Sequence, residues 1–108
     1  MMMEQSASSC PERQHPRVAA GFLVKMRVGT RQVLARARDL SMTGLLVECP
    51  VSRLPRTLDV RIPLPGQDRE VAATCRLERV GADSVALSFA QIGWSDLIRL
   101  ARYLSPRL

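Results

Sequence analysis

Two short polar segments carry the residue types that do recognition chemistry. One is Arg13-Gln14-His15-Pro16-Arg17, with two arginines four residues apart. The other is Asp39-Leu40-Ser41-Met42-Thr43-Gly44, an acid, a hydroxyl and a glycine spaced D-x-S-x-x-G. An arginine fork matches phosphate or carboxylate oxygens and the O6/N7 edge of guanine. A carboxylate accepts from paired N–H donors, and a serine hydroxyl both donates and accepts. Glycine lets the backbone turn and approach a ligand with no Cβ in the way. Pro16 fixes φ beside Arg17 and stiffens that arm.

Each segment also has a plainer reading. Arg13 and Arg17 fit a solvated basic tail. Asp39 and Ser41 fit an Asx-type turn, and Gly44 a residue needing positive φ. His15 reads as exposed and close enough to brush a ligand. Arg36 and Arg38 flank Asp39, either supplementing a site or pairing with the acid. Arg27-Val28-Gly29-Thr30-Arg31 repeats the R-x-x-x-R spacing but reads as a polar hairpin.

Catalysis finds no residue set. The single histidine has no partner pattern for a triad or a metal, and Cys10, Cys49 and Cys75 lack metal-ligand spacing. The glycines form neither a P-loop nor a dinucleotide fingerprint. The expectation is a non-enzyme without metal or cofactor.

At 108 residues the chain fits one domain with a modest core. Apolar residues make up 46% but aromatics only 4%, so aliphatic side chains must fill the interior. The net charge is +6, and fifteen of the sixteen cations are arginine, the exception being Lys25. That bias suits forked recognition of anions, and equally suits a GC-rich genome. An odd cysteine count without a secretory leader points to reduced thiols and a cytoplasmic protein. No apolar run is long enough for a transmembrane segment.

The elements that must position the two segments follow from periodicity. Residues 1–11 are small and polar and are expected to be a disordered tail. From Val18 a two-residue period places Val18, Ala20, Phe22, Val24 and Met26 on one face. Val28-Gly29-Thr30 turns the chain into a second strand over 31–38, and a third starts at Gly44 and ends near Cys49-Pro50. Leu58, Val60, Ile62 and Leu64 mark a fourth, with Pro63 at an edge or a strand end. Val71, Ala73, Cys75 and Leu77 mark a fifth, and Val85, Leu87 and Phe89 a sixth. Cys49 and Cys75 read as small core residues. Leu97, Leu100, Ala101 and Leu104 then fall at helical spacing, with Ser95 as N-cap, Asp96 in the first turn and Pro106 as the stop. Trp94 is expected to cap the barrel end. The pattern specifies about six short antiparallel strands and one helix, a small closed or nearly closed barrel with the helix at one end.

The arginine pair, the D-x-S-x-x-G turn one hairpin later, and the strands and helix that follow together resemble the PilZ domain family over residues 12–104. The resemblance implies an all-β fold: a six-stranded antiparallel PilZ-like β-barrel over 18–90 with a C-terminal α-helix over 95–104. It also implies a bacterial receptor for cyclic di-GMP, a ligand with two phosphates and two guanines. Arg13 and Arg17 would take phosphates and the guanine Hoogsteen edge. Asp39 would accept from guanine N1–H and N2–H₂, Ser41 would bond a base or phosphate, and Gly44 would allow close approach. His15, Arg36 and Arg38 are possible supplements. Glu12 places a carboxylate beside the anion site. The expected mechanism is a mobile arm clamped by ligand against the Asp39–Gly44 turn, altering docking on an unidentified effector protein in motility, exopolysaccharide or pilus control. Two rival readings stand beside it: a PilZ-fold interaction module that binds no nucleotide, and a basic barrel that holds single-stranded nucleic acid. The scarcity of aromatic stacking surface argues against DNA or RNA as a partner. Monomer and dimer are both open.

Overall fold

The computed structural model describes residues 16–49 and 53–108. The expected tail over 1–11, Arg13 and His15 lie outside the described residues, as does 50–52 of the connection. Seven strands form: β1 (Val18–Ala19), β2 (Leu23–Val28), β3 (Arg31–Leu40), β4 (Gly44–Glu48), β5 (Thr57–Ile62), β6 (Val71–Val80) and β7 (Ser84–Ile92). One helix, α1 (Trp94–Leu104), follows and ends in a 3₁₀ turn over Ser105–Arg107.

The strands run β1-β3-β2-β5-β6-β7-β4, and β4 returns to pair with β3. Strands β2 to β7 therefore close a six-stranded antiparallel barrel, and β1 is a short addition on the end of β3. Closure leaves the barrel without long free edges. Alternation fills its interior with aliphatic side chains. Met26, Leu40, Ile62, Leu100 and Leu104 are the largest fully buried ones, each stabilising the fold by about 2 kcal/mol. Pro63 falls just past the end of β5, where no ladder donor is needed.

The expected single first strand is two strands. The chain breaks at Ala20-Gly21-Phe22, where Gly21 adopts φ 152°, a value that favours glycine. Arg36 closes the break by donating from Nη1 to the Gly21 carbonyl at 2.8 Å. The break lets β1 turn onto β3, with Val18 opposite Leu40 and Ala19 opposite Asp39.

Two β-bulges matter more for function. On β3 the register shifts between Ala37 and Asp39, so Arg38 is the extra residue. Strict alternation would send Asp39 inward behind Ala35 and Ala37. The bulge resets the phase: Leu40 is buried and Asp39 faces outward. On β6 the register shifts between Leu77 and Arg79, so Glu78 is the extra residue. Alternation from Val71 through Leu77 would bury Arg79, and the bulge turns it to the surface instead.

The helix starts differently from the expectation. Gly93, in extended backbone at φ −69° and ψ 154°, is the N-cap, and Ser95 lies inside the first turn. The Gly93 carbonyl accepts the first helical bond, from Leu97 N at 2.9 Å. Asp96 ties this end to the barrel. Its Oδ2 accepts from Ala72 N at 3.3 Å, and its Oδ1 pairs with Arg99. Trp94 is 75% exposed and does not cap the barrel. Tyr103 takes that place, with Phe22 edge-on at 6.2 Å between centroids and the Arg107 guanidinium stacked 3.9 Å over its ring.

Cys49 and Cys75 are both buried and free. Burial, with the Asp59 carboxylate adding to it, pushes the Cys75 thiol up to about 12. Native protein at pH 8 is expected to leave Cys75 unalkylated by iodoacetamide over an hour, and denatured protein to label it fully. Mass spectrometry of tryptic peptides checks this.

Candidate functional site

Strands β3, β4, β7 and β6 are consecutive neighbours, and a cavity of about 370 Å³ opens across their outer face. Its floor is made of small or apolar outward residues of β4 and β7, namely Gly44, Leu46, Ala86 and Ser88. Arg17 and Asp39 form one rim, and Glu78 and Arg79 the other. Arg17, Asp39, Ser41 and Gly44 thus line one cavity, although 27 residues separate the first from the last.

Local pairing explains the first rim. β1 lays the chain against the end of β3, and Ala20 N donates to the Arg38 carbonyl at 2.8 Å. Arg17, one residue before β1, therefore arrives over Asp39, with Nη1 3.7 Å from Oδ2. The side chains are 39% and 25% exposed, so water screens the pair and it adds little to stability. Both groups keep capacity for a ligand: Arg17 has further N–H donors and Asp39 a second oxygen.

Ser41 does different work. Its residue is 4% exposed, and its hydroxyl oxygen accepts from Thr43 N at 3.1 Å. The hydroxyl also lies 3.3 Å from the Gly44 carbonyl and 3.2 Å from Thr43 Oγ1. Ser41 N donates to the Gly44 carbonyl at 2.9 Å. These bonds staple the β3–β4 turn and fix where Asp39 and Thr43 project. Ser41→Ala is expected to cost about 1 kcal/mol and to lower Tm by about 5 °C, read by thermal denaturation.

Gly44 is needed for space and not for positive φ. It pairs with Ser88 on β7, and an added Cβ would run into the Leu87 carbonyl oxygen and sit 2.9 Å from Ser88 Cα. The obstacle is backbone, which cannot swing aside. The turn is held on that strand from the other side too, with Phe89 N donating to the Thr43 carbonyl at 2.8 Å.

The remaining sequence candidates fall elsewhere. Arg36 is engaged with Gly21, and Arg38 Nε lies 3.2 Å from Glu48 Oε2. Neither lines the cavity. Sequence reasoning passed over Thr43, Leu46, Glu78, Arg79 and Ser88, all of them lining residues. Arg79 leaves a trace in the sequence, since a charge at an apolar-phase position of a strand marks a bulge. A second, larger cavity, about 700 Å³, lies on the outer face of β2, β5 and β6. Three of its charges engage one another, with Lys25 Nζ 2.5 Å and Arg61 Nη1 3.9 Å from Glu70. Among the described residues no His, Cys, Asp and Glu cluster suits a metal, and no helix is long and apolar enough to cross a membrane.

The family model for the PilZ domain matches residues 11–105. The chain belongs to the PilZ domain family. No curated protein matches it in sequence. Solved PilZ structures share its fold. The PilZ domain of YcgR from Escherichia coli with c-di-GMP superposes with a TM-score of 0.69 at 13% identity, over 88% of this chain and 90% of that one. Bacillus subtilis MotI/DgrA, an inhibitor of motility, gives 0.76 at 19% identity over 88% of this chain and 50% of its own. Borreliella burgdorferi PlzA, in complex with c-di-GMP, gives 0.65 at 13% identity over 91% and 43%. The chain thus spans half or less of the Bacillus and Borreliella proteins, and nearly all of the YcgR PilZ domain.

Proposed function

We infer that this PilZ domain is a receptor for cyclic di-GMP that passes occupancy to an effector protein. The carrying observation is that Arg17, Asp39 and the Ser41–Gly44 turn, distant in sequence, converge on one cavity. The chemistry of that rim suits the ligand. Arg17 forks onto a phosphate or the guanine O6/N7 edge. The Asp39 carboxylate accepts from guanine N1–H and N2–H₂. Ser41 holds the turn in shape, and its hydroxyl can bond the ligand only by giving up part of its present set. Arg13 supplies a second cation four residues before Arg17. Leu46 and Ala86 offer an apolar floor to a base.

Ligand draws the 13–17 arm against the Asp39–Gly44 turn, and the surface so formed is what an effector reads. The coupling is a free-energy difference: an effector that prefers the occupied form tightens ligand binding by the same factor. A thermal-shift panel tests the ligand class. Cyclic di-GMP at 100 times its Kd is expected to stabilise the fold by about 2.7 kcal/mol and to raise Tm by about 10 °C. Cyclic di-AMP and GTP at equal concentration are expected to leave Tm essentially unchanged. Equal shifts with all three would refute guanine-specific binding.

A further inference from the structure

The second rim of the cavity repeats the chemistry of the first. Arg17 and Asp39 stand on one side, Arg79 and Glu78 on the other. Each rim is one arginine and one carboxylate, and each carboxylate-bearing strand carries a β-bulge at that point. The rims belong to β3 and β6, with β4 and β7 between them forming the floor.

The second rim is also poised for a ligand. Ser88 Oγ donates to Glu78 Oε2 at 2.5 Å, which aims the carboxylate. Among the described residues the other oxygen, Oε1, has no hydrogen-bond partner, and Arg79 has no carboxylate within ion-pair distance. Both residues are exposed, so no core packing explains them.

We propose that Glu78 and Arg79 form a second guanine-reading rim, so that the two halves of one two-fold symmetric dinucleotide are read from opposite sides of the cavity. This rests on the cyclic di-GMP reading above. Glu78 Oε1 accepts from the N1–H and N2–H₂ edge of the second guanine, as Asp39 does for the first. Arg79 forks onto the O6/N7 edge of that same guanine, which adenine does not offer. Specificity for two guanines over one then resides in Glu78 and Arg79, because a carboxylate left facing adenine loses its donors and stays unpaired.

Calorimetry of wild type, Glu78→Gln and Arg79→Ala with cyclic di-GMP and with 3′,3′-cyclic GMP-AMP tests this. The hybrid carries one guanine, which the intact Asp39 rim can take. Wild type is expected to prefer cyclic di-GMP by about tenfold. Each variant is expected to lose that margin, its affinity for cyclic di-GMP falling about tenfold while the hybrid changes less than twofold. Variants that keep wild-type affinity for cyclic di-GMP, or that lose affinity equally for both ligands, would overturn the second rim and leave the receptor reading in place. Wild type that binds neither ligand would overturn both.

Discussion

Arg17→Ala is expected to lower affinity for cyclic di-GMP by about 100-fold with almost no change in stability. The affinity loss follows from a forked, charge-assisted contact, for which about 2–3 kcal/mol is typical. The stability follows from the free structure. Arg17 precedes β1, is 39% exposed, and meets Asp39 at 3.7 Å across screened solvent, where an ion pair adds about 0–1 kcal/mol. Calorimetry beside thermal denaturation separates the two effects. Arg17→Lys keeps the charge and loses the fork, so it is expected to recover no more than about a tenth of the lost affinity. An arginine that only attracts anions through general charge would be replaced fully by lysine.

Gly44→Ala is expected to be the most destabilising single methyl in the turn, costing about 3 kcal/mol or more. Tm would fall by about 15 °C. The new Cβ meets the Leu87 carbonyl oxygen and Ser88 Cα, both backbone of the pairing strand. Relief requires β4 and β7 to part at Gly44↔Ser88, where the cavity floor begins. The same change at Gly66, which has φ 83° and open space around it, brings strain but no collision and serves as the control. Chemical denaturation of the two variants ranks them. A Gly44→Ala protein as stable as wild type would show that β7 yields, and that the glycine serves something other than strand approach.

Much of this architecture is legible in the sequence because alternation is strong and turns are marked. Val24 and Met26, Leu58 through Leu64, and Val71 through Cys75 face inward as their period demands, and Gly29 and Gly66 sit at turns with positive φ. Where the sequence reading departs, a local feature overrides the period. Asp39 belongs to a strand and not to the turn, because the Arg38 bulge turns its carboxylate outward without ending the ladder. The break at Gly21, stapled by Arg36, cannot be read from an apolar pattern that continues across it. Trp94, at the helix start, points to solvent, and Tyr103 from the last turn meets Phe22 instead.

The candidate site was legible on one side only. The arginine pair and the D-x-S-x-x-G spacing drew attention to Arg17, Asp39, Ser41 and Gly44 because they lie in short segments with an unusual mix of charges, a hydroxyl and glycine. The opposite rim is formed by strand order, which brings β6 beside β7 and β7 beside β4, and no spacing in the chain encodes that neighbourhood. Arg36 and Arg38 show the converse. They are adjacent to Asp39 in sequence, yet the strand and its bulge commit them to Gly21 and Glu48.

The central claim is that cyclic di-GMP binds at the Arg17–Asp39 rim and the turn behind it. Amide spectra of ¹⁵N-labelled wild type during a cyclic di-GMP titration test it most directly. Saturable shifts are expected at residues 17–20, 39–46 and 78–88, with the β2–β5 outer face unmoved. Spectra that do not change, or shifts centred on Lys25, Arg61 and Glu70, would contradict it.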